Sequence, residues 1–290
     1  MALLRDRPGD VTWRKIADLV ADQGGAVEVY RRLQPTDLFD HGADQDQRFE
    51  RALGEIDAWE GKGYGVHTML DATYPPQLRD VLHMPPIVFT RGTLVNDARA
   101  VAIVGSRQAS TEGLFNAARL ATGLGERGYT IVSGGAAGID SAAHTAALAC
   151  GARTVAVIGT GLDNHYPPEN KQLHERIADS GMIMSQFWPE SAPSKASFPM
   201  RNAVMSGYVA ATVVIEAAER SGTRIQARNA VEHGRPVLLA DRVVESTNWA
   251  KEMLDKPGVY AVSSLADVLR VLERTQDTDS VIRDLLRAGA

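Results

Sequence analysis

The sequence predicts an α/β protein: an extended Rossmann-like, doubly wound, mostly parallel sheet with a small helical domain at its N-terminus. Three observations predict it. From Ala100 onward, short apolar runs end in glycine-rich turns and give way to helical periodicity, and the rhythm repeats. The runs are continuously apolar rather than alternating, as parallel strands buried on both faces require. The first sixty or so residues carry only helical spacing.

In the N-terminal part, expected to span 1–65, Trp13, Ile16, Leu19 and Val20 fall at helical spacing. Gly24-Gly25 interrupts the pattern, and Val27, Tyr30 and Leu33 resume it. Phe49, Leu53, Ile56 and Trp59 mark another amphipathic helix after a polar loop, closed by Gly61, Gly63 and Gly65. A packing or dimerisation role is the simpler expectation for this module, and a nucleic-acid role the sharper one. Residues 66–98 read as an extended connector ending in a strand. Tyr74-Pro75-Pro76 and Pro85-Pro86 disfavour helix, and Ile87-Val88-Phe89 is apolar.

The Rossmann-like domain is expected over 99–262. Its strands are Val101–Val104, Tyr129–Val132, Thr154–Ile158, Met182–Met184, Thr212–Ile215 and Pro236–Ala240. Residues 263–290 form a tail whose Leu265, Val268, Leu269 and Leu272 lie at helical spacing.

Bulk properties exclude several classes. The 290 residues, 44% hydrophobic and 23% charged, suit a soluble α/β domain with a small accessory one. The longest apolar stretches, such as Val209–Ile215, are strand-sized and too short to span a bilayer. Met1-Ala2-Leu3-Leu4-Arg5-Asp6 lacks a signal pattern, so export is not expected. The single cysteine, Cys150, leaves no internal disulfide and no multi-cysteine metal site, which fits a reduced, cytoplasmic setting. A net charge of −5 argues against a globally basic coat for nucleic acid, though not against a local groove.

Ligands of an open parallel sheet bind beyond the carboxyl ends of its strands. Four turns there carry chemistry. Gly105-Ser106-Arg107 offers close backbone approach, a hydroxyl and a cation for phosphate. It does not spell the dinucleotide fingerprint, and no acidic residue ends the second strand to hold a ribose. Ser133-Gly134-Gly135-Ala136-Ala137-Gly138 gives amides room to cradle an anion above the following helix. Asp140 either caps that helix or meets the ligand, and His144 reads as packed rather than catalytic. Gly159-Thr160-Gly161 leads through Pro167-Pro168 to Asn170, a cap candidate, and Lys171, whose charge opens a helix on the same edge. The last segment runs from Phe198-Pro199-Met200-Arg201-Asn202 to Ser221-Gly222-Thr223. Here Arg201, Arg220, Arg224, Arg228 and Arg235 outnumber Glu216, Glu219 and Glu232. Arg224 and Arg228, one helical turn apart, point to ligand contact beside the cradle.

Taken in order, these motifs resemble the DNA-processing protein A (DprA/Smf) family. The likeness adds Tyr74-Pro75-Pro76-Gln77-Leu78, Pro85 to Gly92, Gly161-Leu162-Asp163 and Tyr166-Pro167, and covers roughly residues 70 to 240. It implies single-stranded DNA held in a basic pocket, homodimers, delivery of the strand to a RecA-type recombinase, and an N-terminal domain of the SAM or helix-hairpin-helix kind. It implies no membrane partner, no catalytic residue, no metal and no cofactor. The pocket residues it implies are Ser106, Arg107, Lys171, Arg201 and Asn202, with the Gly134–Gly138 and Gly222 turns along the same edge.

Several positions depart from the family pattern. Ala203 stands where an arginine usually follows Arg201-Asn202, and Ser221-Gly222-Thr223-Arg224-Ile225-Gln226 replaces a serine-glycine-serine-leucine-isoleucine-threonine segment. Asp241–Trp249 replaces a glycine-rich loop, and no C-terminal winged helix is expected. A role in a mobile element or in phage defence is an alternative to transformation. Two rivals share the cradle: a sensor of a nucleotide-derived ligand, and an enzyme like the phosphoribohydrolases of the wider Rossmann superfamily. The latter place a glutamate where Gln226 stands, and an amide is no general base. Glu216 remains a residual carboxylate candidate, or a partner for neighbouring arginines.

Overall fold

A nine-stranded mixed sheet with helices on both faces organises the chain; the computed structural model describes residues 1–23, 25–33, 43–79, 81, 82 and 84–275. Four helices lead: α1 (Ala2–Arg5), α2 (Trp13–Gln23), α3 (Ala26–Leu33) and α4 (Ala43–Gly61). Strands β1 (Tyr64–Thr68), β2 (Ile87–Gly92) and β3 (Ala100–Gly105) precede α5 (Thr111–Gly125). There follow β4 (Thr130–Ser133), α6 (Ile139–Ala149), β5 (Thr154–Val157), α7 (Lys171–Ser180) and β6 (Met182–Ser185). The chain continues through α8 (Ser197–Tyr208), β7 (Ala211–Glu216), α9 (Gly222–Glu232) and β8 (Val237–Ala240). It closes with α10 (Asp241–Ser246), α11 (Asn248–Met253), β9 (Val259–Val262) and a last helix, α12, over 265–275. The rest of the tail, and the Gly24 interruption, lie outside the described residues.

The strand order is β1-β2-β6-β5-β4-β3-β7-β8-β9. All pairings from β6 to β9 are parallel, while β1 pairs β2 and β2 pairs β6 antiparallel. The order reverses between β3 and β7, and that switch point opens a crevice at the strands' carboxyl ends.

Side chains of the central strands alternate between two buried faces. Ala102, Val104, Val132, Val155, Val157 and Val214 pack under α8, α9 and α11. Val101, Ile103, Ile131 and Val213 face α5, α6 and α12 instead. This burial on both sides is why the strands read as unbroken apolar runs. The N-terminal helices are not a detached module. Leu3, Leu4, Ile16, Val20, Tyr30 and Trp59 share one core with Ile87, Phe89, Ile158, Ile177 and Ile183. Trp188 ties the two parts together: its ring meets those of Trp13, Trp59 and Phe89, and the Arg5 guanidinium lies 4.0 Å from its centroid.

The proline-rich stretch differs from the connector expected of it. It supplies two strands, β1 and β2, rather than one. Asp97, at its end, is buried and anchors the start of β3. Its carboxylate accepts hydrogen bonds from Thr130 Oγ1 (2.7 Å), Tyr208 Oη (2.6 Å), and Arg153 Nε and Nη2 (2.8 and 3.0 Å). Asp97→Asn replaces an anionic acceptor with an amide facing a guanidinium. A loss of about 2 kcal/mol in urea unfolding is expected, and an unchanged midpoint would contradict that role.

Candidate nucleic-acid interface

The first two glycine turns are built against each other across the switch point. Gly138 has φ 79°, and a Cβ there would lie 2.3 Å from the Ser106 carbonyl oxygen and 2.6 Å from that of Arg107. The Ile139 amide donates to the Ser106 carbonyl at 3.2 Å. Gly105 is equally constrained, since a Cβ would lie 2.6 Å from Ile139 Cγ1 and 2.7 Å from the Glu216 carbonyl oxygen. Side-chain-free backbone at these points lets β3, β7 and the start of α6 converge.

Beneath them lies a buried polar brace. Arg201 is 6% exposed; its Nη1 donates to the carbonyls of Gly134 (2.6 Å) and Val157 (2.8 Å), and its Nε to Asn202 Oδ1 (3.0 Å). Asn202 Nδ2 in turn reaches the Gly222 carbonyl at 3.3 Å. One guanidinium therefore ties the ends of β4 and β5 to α8, and its neighbour extends the tie to α9. Burial lowers the Arg201 pKa and raises that of Asp140, while each charge stabilises the other.

Asp140 does not cap α6, whose N-cap is Gly138 without a side-chain bond. Its Oδ2 accepts from the amides of Gly134 (3.1 Å) and Ala136 (3.3 Å). The turn expected to cradle an external anion thus already holds a carboxylate of its own on two of its amides. Ser133 is also internal, its Oγ donating to the Ile103 carbonyl. Gly135 (φ 69°) presents its carbonyl to Asn170 Nδ2 (2.9 Å) and His174 Nε2 (3.2 Å), so Asn170, which stands at the N-cap position of α7, uses its side chain to tie the helix to the turn. His144 is packed, with Nδ1 2.7 Å from Thr154 Oγ1, and burial holds its pKa down to about 3.

The open part of the site is a cleft of about 450 Å³ between the ends of β3 and β7. Ser106, Arg107, Arg201, Asn202, Ser221, Gly222 and Thr223 all border it. Arg107 is exposed, with its guanidinium 5.1 Å from the centroid of Phe198. Arg220 and Gly222 are exposed on the opposite lip. Ser221 caps α9 by accepting from the Thr223 amide, which leaves that helix N-terminus facing the cleft. Gly159 makes room for the Phe198 ring, because a Cβ there would lie 2.8 Å from Phe198 Cδ1. Lys171 lies exposed at the start of α7, further along the same edge.

Arg224 and Arg228 lie elsewhere. They share a face of α9, but that face lines a groove with Glu232, Trp249, Glu252 and Lys256. Their four-residue spacing groups them with each other; Thr223 and Gln226 take the side of α9 that meets the cleft. Glu216 is neither an open carboxylate nor an arginine partner, because it accepts from the Ser110 amide (3.0 Å) and from Ser110 Oγ at the start of α5. Arg220, Phe198 and Met205 also line the cleft, though none of the three is a predicted site residue. Arg220 alone had a local signal, as a cation immediately before Ser221-Gly222.

These features define a Rossmann-type α/β protein with an open, cation-edged cleft at its switch point. The family model for DNA recombination-mediator protein A matches residues 65–273, and the chain belongs to that DprA/Smf family of DNA-processing proteins. It is 38% identical over 208 residues to the DNA processing protein DprA of Streptococcus pneumoniae, covering 71% of this chain and 73% of the relative. The crystal structure of DprA from that species superposes with a TM-score of 0.69 at 30% identity, covering 90% of this chain and 93% of the other. DNA processing protein A from Helicobacter pylori, described for its single-stranded DNA binding mode, gives 0.64 at 25% identity over 73% and 96% of the two chains. No helix among the described residues is long and apolar enough to cross a membrane.

Proposed function

We propose that this protein binds single-stranded DNA along the carboxyl edge of its sheet and acts in DNA processing and recombination. One observation carries the reading: in a chain of net charge −5, exposed Arg220 and Arg107 flank the cleft at the ends of β7 and β3, and exposed Lys171 opens α7 beside Asn170, which is bonded to the Gly135 carbonyl just beyond β4. Strands β7, β3 and β4 span two inter-strand spacings, roughly 10 Å. That suits a backbone-tracking groove over several nucleotides, with phosphates neutralised by side chains that carry no base information. The related proteins named for DNA processing, and the Helicobacter pylori protein's strand binding, support it. Delivery to a RecA-type recombinase, a homodimer and a cytoplasmic setting extend the same proposal from the family likeness.

The buried brace has no place in chemistry. Arg201, Asn202 and Asp140 are hydrogen-bonded within the protein, and Glu216, outside the brace, is held by Ser110. A phosphoribohydrolase needs a free carboxylate at the cleft, and Gln226 is an amide. Fluorescence anisotropy with labelled oligo-dT, competed by free mononucleotides, tests the proposal. Oligonucleotide binding that micromolar nucleotide fails to displace is the expected result. Tight nucleotide binding without oligonucleotide binding would replace it with a small-ligand sensor, and release of free base would restore an enzyme.

A further inference from the structure

A second groove, of about 410 Å³, opens between α9 and α11, away from the cleft. Arg224, Arg228, Glu232, Trp249, Glu252 and Lys256 line it. Its cations are uncommitted. Arg228 and Lys256 are exposed and Arg224 is half-buried. None of the three makes an ion pair or a side-chain hydrogen bond among the described residues, although Glu232 and Glu252 share the groove with them. The interior of the protein therefore gives these side chains no structural task.

Their placement continues that of the cleft. Arg220, Arg224 and Arg228 follow one another at four-residue intervals, from the lip of the cleft down α9. Arg224 and Arg228 share one face of the helix, and about 9 Å of helix separates Gly222 at the lip from Arg228. The far wall of the groove is fixed to the same lip. The Asn248 amide donates to Glu219 Oε2 (2.8 Å) and Trp249 Nε1 to the Ala218 carbonyl (3.3 Å), which holds α11 against the loop that carries Arg220. Cleft and groove are thus two parts of one surface, joined at the start of α9.

The chemistry of the groove suits a nucleic-acid backbone and not its bases. Trp249 is 1% exposed, so its ring offers no open face for stacking. The three cations outnumber the two carboxylates, and Glu232 stands one helical turn beyond Arg228, at the end of α9. We infer that the bound strand, on leaving the cleft past Arg220, turns along α9. Arg224, Arg228 and Lys256 hold phosphates of its continuing backbone, and Glu232 marks the end of the track.

The inference rests on the strand-binding reading but fails separately from it. Anisotropy of labelled oligo-dT from about 4 to about 20 nucleotides is compared for wild type and the Arg224→Ala/Arg228→Ala double variant. The shortest strands that bind, held by the cleft alone, are expected to bind both proteins alike. On the longest strands the double variant should bind about 25-fold more weakly at about 0.1 M salt, and lose roughly 1.4 from the log–log salt slope, the share of two phosphates. Glu252→Lys should do the reverse, tightening the hold on long strands and leaving short ones unchanged. Equal binding of every length by wild type and the double variant overturns the inference and leaves strand binding in place. A loss that is the same at every length overturns it too, because the arginines would then act on the cleft. No binding of any strand by wild type sinks the proposed function with it.

Discussion

Arg201→Met is expected to lower the stability of the fold by roughly 3–5 kcal/mol, the cost of leaving a buried charge without its partner. The guanidinium makes three hydrogen bonds inside the protein and faces the buried Asp140 carboxylate. Removing it leaves the carbonyls of Gly134 and Val157 without this donor and Asp140 without its cation. Arg201→Lys should restore little, because a single ammonium does not reproduce the forked geometry that reaches Gly134, Val157 and Asn202 together. Adding Asp140→Asn to Arg201→Met should recover part of the loss, since the pair then buries no unpaired charge. Urea denaturation of the three variants and the wild type measures this. A destabilisation below about 1 kcal/mol, in the range of surface substitutions, would show that Arg201 is not the brace described.

Gly138→Ala should be nearly as severe, for a different reason. At φ 79° and ψ −126° the backbone sits where side-chain-bearing residues are strained, and the Cβ would overlap backbone atoms of Ser106 and Arg107 rather than a movable side chain. Strain alone costs about 1–3 kcal/mol, and the overlap adds to it by forcing the two turns apart. Because Arg107 rides on the displaced segment, strand binding should fall together with stability. A melting temperature and oligo-dT affinity matching wild type would contradict the interlocked turns.

The central strands were legible because burial on both faces writes itself as an unbroken apolar run, as in Val101–Val104 and Thr212–Ile215. The two outer strands were not. Tyr64-Gly65-Val66-His67-Thr68 is only half-buried throughout, so it needs no such run, and Val259–Val262 buries only its end residues. The turns of the site were legible as glycine clusters, but their internal wiring was not. Arg201 read as a ligand contact, and Asp140 as either a helix cap or a ligand contact. Their real partners are carbonyls and amides whose proximity only the folded sheet creates, Gly134 lying 67 residues from Arg201. Spacing along a helix likewise paired Arg224 with Arg228 without saying which way their shared face would turn.

Oligo-dT affinity across a salt series, for wild type and Arg107→Ala, tests most directly whether the exposed cations of the switch-point edge hold a nucleic-acid backbone. Wild-type affinity is expected to fall steeply with salt, with a log–log slope near −0.7 for each phosphate neutralised. Arg107→Ala should bind more weakly and lose about one contact's worth of that slope. Oligo-dT binding that is insensitive to salt, or an Arg107→Ala slope equal to that of wild type, would contradict it.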